Sequence, residues 1–344
     1  MLLLLTLLAT PVFAAGGHGS GDDINVKEIV FEHLADAYEW HICTIGQKEI
    51  AVYLPVIVVG RNSGLTVFSS SRLAHSAEWN GFYITHEGDY AGKIVERDHT
   101  GNEVRPLLDL SLTKNALALI INSIVLLLLI LPLAGFYRKE PLKPSRGIKG
   151  VVEIIIVTVQ DEVIKPCVGE EYKKFSPYLL TAFFFILINN LMGLIPFFPG
   201  GANTTGNIAV TMILALCTFF TVNVFGTKEY WKEILWPEVP LWLKIPVPLM
   251  PVIELFGIFT KPFALMIRLF ANIMAGHSVI LGLVCLIFVT VSMGPVINGG
   301  LTVVSVLFTI FMNFVELLVA FIQAYVFTML SAVFIGMAQV KHSH

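Results

Sequence analysis

Charge is scarce in this sequence: 14% of its 344 residues are Asp, Glu, Lys or Arg, against 56% that are hydrophobic, and the formal net charge is only -3. With a mean hydropathy of +0.77, that scarcity excludes an ordinary soluble domain and points to a chain solvated largely by lipid. No Lys/Arg-rich run offers a surface to nucleic acid. Cysteine is nearly absent, with four scattered positions, Cys43, Cys167, Cys217 and Cys285. Without a C-x-x-C pair or a histidine cluster at ligand spacing no metal centre is expected, and since only Cys43 lies in a region read as outside the membrane on the export side, no intramolecular disulfide is expected there. No G-x-x-x-x-G-K-[ST] loop cradles the phosphates of a nucleotide, so no nucleotide chemistry and no cofactor are expected in this chain. Internal repeats are missing as well.

What the sequence does have is long apolar runs. Residues 1–15 form a short one that ends in small residues and lacks a basic start; it reads as a secretory signal peptide. Residues 16–109 change to a soluble character. Val26, Ile29, Val30, His33, Leu34 and Tyr38 recur at helical spacing, and β-branched or aromatic runs follow at 50–59, 65–69 and 81–85, so a small exported α+β domain is expected. His33, His41, His75, His86 and His99 are too scattered to hold a metal and read as surface histidines.

From 110 to 344 an all-α polytopic membrane domain is expected, with spans at about 112–136, 176–198, 207–225, 247–293 and 301–337. The stretch 151–168 is apolar but studded with Glu153, Gln160, Asp161, Glu162 and Lys165, which suits a helix lying on the membrane surface. Arg138, Lys139, Lys143, Arg146, Lys149, Lys165, Lys173 and Lys174 fall in one connection, Lys228, Lys232 and Lys244 in another, and Lys341 in the tail. The opposite turns, 197–206 and 294–300, carry no charge. By the positive-inside rule the basic connections and the C-terminus are cytoplasmic, and 16–109 lies outside.

The last two apolar segments are too long to stand upright. As helices they measure about 70 and 55 Å against a hydrocarbon core of about 30 Å, so steep tilt or a break near Pro262, Gly276 or Gly282 is expected. Joined by the turn at 294–300, they should run as an antiparallel hairpin. His277 lies 17 residues before Gly294 and Glu316 lies 16 after Gly300, which sets them level. Arg268 and Gln323, 26 back and 23 forward, are level at a second depth.

Arg268 is the residue that most demands a reason. Arginine keeps its proton wherever it is put, and a charge at mid-membrane costs about 2.5 to 3.5 kcal/mol even on insertion scales, so it faces a partner, water or an ion path. Asn272 shares its face, whereas His277 lies about 180° around. On the last helix Asn313, Glu316, Ala320 and Gln323 form one stripe.

Arg268-Leu-Phe-Ala-Asn272 followed by Met274-Ala-Gly-His277 resembles the hallmark of the a subunit family of F-type ATP synthase, and Asn190-Leu-Met-Gly-Leu-Ile-Pro196 is similar to the same family. The resemblance covers roughly 176–337 and leaves the exported domain out. It implies a stator subunit of the Fo proton channel, with two offset half-channels, in a bacterial inner membrane. The partners it implies are a c-subunit ring, b-type peripheral stalk subunits, the other ATP synthase subunits and membrane lipid. It implies that Arg268 faces the ring carboxylates, that Asn272 and Gln323 neighbour that Arg, and that His277 and Glu316 line the outer half-channel. Glu254 then belongs to the cytoplasmic exit path, and Asn313 and Asn190 are further polar candidates. A secondary ion-coupled transporter with a mid-membrane charged site is the alternative from another class, and the missing repeat speaks against it.

Overall fold

The computed structural model describes residues 36–45, 48–61, 64–73, 78–85, 90, 92–97, 103–140, 143–195, 200–235 and 249–339. The expected signal peptide, the helical pattern at 26–34, His33, His75, His86, His99, the proline-broken stretch at 236–248 and Lys341 lie outside the described residues. The chain forms two compact units, each assembled from several segments. One takes Met1–Ile121, Met192–Thr204 and His277–Phe314; the other takes Asn122–Leu191, Thr205–Gly276 and Val315–His344.

Among the described residues the first unit holds eight short strands: β1 (Glu39–Ile45), β2 (Lys48–Tyr53), β3 (Pro55–Gly60), β4 (Gly64–Ser69), β5 (Phe82–Ile84), β6 (Ile94–Arg97), β7 (Glu103–Val104) and β8 (Leu108–Asp109). They form an antiparallel hairpin β1-β2 and two three-stranded antiparallel sheets, ordered β4-β3-β8 and β5-β6-β7. β3 reads Pro-Val-Ile-Val-Val-Gly, and its β-branched residues suit a pleated, half-buried surface. Val56 and Val58 alternate into a core with Phe68, Leu73, Phe82 and Ile94. The β3-β4 connection closes at Gly60 and Gly64, and Gly64 takes φ +64°, which only glycine adopts without cost.

Three contacts tie β1 and the residues just before it to the first long helix, α1 (Lys114–Lys139). Trp40 of β1 is buried with Ala118 and Ala202, flanked by Leu117 and Ile121. The Lys114 N–H donates to the Ala37 carbonyl at 2.8 Å, and the Asn115 N–H donates to Asp36 Oδ1 at 3.1 Å, so an acid satisfies a first-turn donor. Tyr38 donates its hydroxyl to Asp109 Oδ2 at 2.6 Å. Burial, and then that carboxylate, push the Tyr38 phenol well above its ordinary value.

After α1 come α2 (Ile148–Thr158), a π-turn at Val159–Ile164, the short helical turn Lys165–Val168, α3 (Tyr172–Gly193), α4 (Ile208–Val224) and α5 (Lys228–Leu235). Two long helices complete the chain, α6 (Leu249–Val289) and α7 (Pro295–Gln339). Among the described residues four apolar helical stretches are long enough to cross a membrane, and a fifth is reached if α4 and α5, bent by 100°, count as one span. The stretch 228–244, read from sequence only as a connection, thus opens with a short amphipathic helix.

The core of the second unit is built from Leu179, Phe183, Ile186, Leu265, Leu269 and Phe327. Ala320, Ala324, Ala332 and Ala338 are all buried on α7; without a hydrophobic force between helices in lipid, such small residues allow the close backbone approach that holds them. Gly336 sits so close to the Cys167 carbonyl that any side chain there would overlap it. Polar links join helices as well: Asn122 Nδ2 donates to Asn189 Oδ1 at 2.9 Å, and Thr218 bonds Tyr178 at 2.8 Å and Ser331 at 3.2 Å. Each such bond contributes on the order of 0.6 kcal/mol in a membrane.

Of the two ways for the final hairpin to fit a bilayer, steep tilt or a break near Pro262, Gly276 or Gly282, the break does not occur, because α6 runs uninterrupted for 41 residues. Pro262 forfeits one backbone hydrogen bond, whereas a full break in lipid would leave several groups unsatisfied. The turn is also shorter than 294–300. Gly294, at φ +99°, makes the reversal alone, and α7 starts at Pro295 and absorbs Gly299 and Gly300, since proline is preorganised for the first helical position.

Candidate functional site

On α6 the alternation of burial divides the helix cleanly. Leu265, Leu269 and Ile273, four residues apart, are buried in the second unit. Ala264, Arg268, Ala271, Asn272 and Ala275 are exposed. Arg268 therefore projects from the surface of this chain with Asn272 beside it, and the strip around them is otherwise made of small residues. No ion pair joins Arg268 to a described residue.

α7 presents the opposite arrangement. Glu316, Ala320 and Gln323 are all buried, as the stripe read from the sequence predicts. Asn313, the fourth member, is half-buried and donates to the Thr309 carbonyl of its own helix at 2.8 Å, so it links no second helix through that bond. Asn190 does: its Nδ2 donates to the Ala320 carbonyl at 3.1 Å, pinning α3 to α7 between Glu316 and Gln323. Glu254 is half-exposed near the start of α6.

The spacing of the hairpin becomes concrete at Gly276. A Cβ at this position would lie 3.0 Å from Glu316 Oε1, so the carboxylate of α7 lies against the bare backbone of α6 one residue before His277. Eight residues back from Gly276 is Arg268, and seven forward from Glu316 is Gln323, which keeps those two level. They share no hydrogen bond among the described residues, however. Gln323 faces inward and Arg268 outward. The reason is angular: Arg268 stands one residue off the buried line through Leu269, about 100° around the helix.

His277, in the first unit, is half-buried. Its Nε2 lies 3.7 Å from where a Cβ on Gly193 would stand, and the Ala202 carbonyl is 3.6 Å from the same point. The imidazole thus sits beside the end of α3, next to an uncharged segment in which Asn203 and Thr204 are buried. Gly276 and Gly193 are the residues that sequence reasoning missed. The signal was present, a glycine directly before the histidine and another in Asn190-Leu-Met-Gly193, but glycine alone does not say which side chain it makes room for.

Gly276 yields a direct test. With Gly276→Val the branched side chain displaces the Glu316 carboxylate, and a misplacement near 1 Å at a reacting group is enough for a loss of about tenfold or more in ATP-driven proton pumping. Immunoblotting should show the chain at its normal level in the membrane. Pumping at the unmodified rate would show that the close approach of Glu316 to α6 has no functional role.

The chain has relatives among known proteins. Residues 117–336 match the family described as ATP synthase A chain, and residues 29–113 match a domain of unknown function, DUF8433. The chain is similar to ATP synthase subunit a of Chloroherpeton thalassium, 40% identical over 244 residues that cover 69% of each protein. It is similar to ATP synthase subunit a 2 of Chlorobium luteolum, 42% identical over 238 residues, 67% of this chain and 66% of that protein. A match to ATP synthase subunit a of an Anaeromyxobacter species, 36% identical, covers 96% of this chain and 75% of the relative, and so takes in most of the strand-bearing segment too.

Proposed function

This chain belongs to the ATP synthase A chain family, and from that premise we propose that it is the stator half of an Fo proton channel in which Arg268 stands against a rotating ring of carboxyl-bearing c subunits. The observation that carries this reading is the outward guanidinium. A permanent charge on the exposed side of an apolar helix needs a partner supplied from outside the chain, and the alanines around it let another helix come close.

Charge supplies the mechanism. A proton arrives from the outer face past His277 and Glu316 and neutralises a ring carboxylate, which then turns into lipid. Imidazole titrates near neutral pH and is suited to taking and giving protons there. When the carboxyl group comes round to Arg268, the fixed cation favours its ionised form, and the proton leaves on the Glu254 side. The same cation repels a proton hopping directly from one path to the other. Asn272 shares the exposed strip and faces the ring with Arg268. Gln323, Asn190 and Asn313 act from within the chain, as positioning groups on the helices that carry the path.

The domains and their sides belong to the same proposal: a leader at 1–15, an exported segment at 16–109, and a membrane domain from 110 whose C-terminus is cytoplasmic, in a bacterial inner membrane. The ring, b-type stalk subunits and lipid are the partners.

ATP-driven proton pumping by the reconstituted complex, read beside thiol labelling of intact cells, tests this reading. Vesicles holding the complex are expected to acidify on addition of ATP. A membrane-impermeant maleimide is expected to modify a cysteine placed at exposed Ser71 and to spare one placed at Ser343. Absence of pumping contradicts the stator role; the reversed labelling pattern inverts the assignment of His277 and Glu254 to their sides.

A further inference from the structure

The β4-β3-β8 sheet has two apolar faces, and only one is covered. Its inner face carries Val56, Val58 and Phe68 into the core. In an antiparallel sheet, paired residues share a face and alternate along each strand, so the register Ile57 with Val67, Val59 with Leu65, and Val59 with Leu108 defines the other. Leu110 extends it, since its N–H donates to the Ile57 carbonyl. That outer face therefore consists of Ile57, Val59, Leu65, Val67, Leu108 and Leu110. Leu65, Val67, Leu108 and Leu110 are 69, 62, 55 and 65% exposed. An antiparallel sheet with one face in water normally carries polar residues on it, and a contiguous apolar face of this kind marks an interaction site.

The position of the sheet along the chain says what covers that face. α1 has 26 residues and measures about 39 Å, close to the roughly 40–45 Å of a bilayer with its headgroups. Lys114, its first residue, accordingly stands at headgroup depth. Leu110 is four residues earlier and lies within about 14 Å of it even if the chain is fully extended. The sheet is held near that level, because the Leu112 N–H, two residues before the helix, donates to the Pro55 carbonyl of β3 at 3.1 Å. Apolar exposure continues into the helix at Ile120. Arg61, just after β3, and Arg105, just before β8, are both exposed, and guanidinium groups bordering an apolar surface suit lipid phosphates.

We infer that the outer face of the β4-β3-β8 sheet lies on the membrane itself, its leucines and valines at the boundary between headgroups and acyl chains, on the side where α1 begins. The strand-bearing domain is then a monotopic anchor that fixes the first span in depth. The inference is independent of the proton path, since it requires only that α1 crosses the bilayer.

The test uses the full chain in its complex, in native membranes. A benzophenone-bearing phenylalanine analogue is placed singly at Leu65, Val67 or Leu110, with Leu128 of α1, 67% exposed, as the lipid-facing reference. After irradiation, mass spectrometry identifies the adduct. Lipid adducts are expected at all three sheet positions, with yields within about threefold of that at Leu128. Cross-links to a second copy of this chain or to another polypeptide would replace lipid with a protein partner and overturn the inference. So would a lipid adduct at fewer than two of the three positions while Leu128 reacts.

Discussion

Arg268→Ala is expected to leave the complex assembled and to abolish its coupling. Arg268 touches none of the packing that holds α6 in place: Leu265, Leu269 and Ile273 do that from the buried face. Removing an exposed side chain away from such contacts usually changes stability by no more than about 0.5 kcal/mol, and deleting a charge from a lipid-exposed helix lowers its insertion cost. Transition-state and ion-path electrostatics are less forgiving, with one lost charge-stabilising group costing about 10²–10³-fold. ATP-driven pumping and proton-driven ATP synthesis should therefore both fall by about a hundredfold or more, while passive proton leak through the membrane rises, since the repelling cation is gone. Arg268→Lys is expected to fail nearly as badly, because lysine loses the planar donor fork and gives up its proton when buried. Proton-driven synthesis retained in either variant would remove Arg268 from the mechanism.

Exchange of the two outer groups is expected to rescue what each single change destroys. The carboxylate of Glu316 lies against Gly276, and His277 is the next residue along α6. His277→Glu alone pairs two acids at one depth, and Glu316→His alone pairs two imidazoles; in each case like groups resist sharing charge. Both single variants should lose about tenfold or more of ATP-driven pumping, whereas the double variant His277→Glu/Glu316→His restores one acid and one base and should recover a measurable part. The cycle then gives a clear coupling energy, of the kind seen for groups in contact and absent for sites more than about 7 to 10 Å apart. Additive losses, with the double variant worse than either single one, would show that the two residues do not act together.

Much of this was legible in the sequence, for identifiable reasons. Apolar length and composition locate long helices well, and the stretches 112–136 and 207–225 differ from α1 and α4 by three residues or fewer at either end. The face shared by Glu316, Ala320 and Gln323 follows from helical periodicity alone. Where reading failed, a local rule lost to a tertiary one. Gly299-Gly300 looked like a turn, yet both are helical because Gly294-Pro295 makes the reversal first. β6, β7 and β8 have four residues or fewer each, too short for alternation to register. Depth sets Gln323 level with Arg268, whereas the burial of the one and the exposure of the other depend on how each helix is turned against its neighbours. The apolar outer face of the sheet needed strand register, which no single strand contains.

The account stands most directly on what touches the strip around Arg268. Cysteines placed singly at Ala271 and Ala275, both exposed on that strip, can be paired with single cysteines on the c-subunit helix one turn from its carboxyl group, and oxidised in native membranes. The expected result is a reducible product joining this chain to one c subunit, well above the background set by the exposed native Cys217, with ATP-driven pumping stopped by oxidation and restored by reductant. Assembled complexes that give no such product from either position, or that give it and keep pumping, would contradict the placement of Arg268 against the ring.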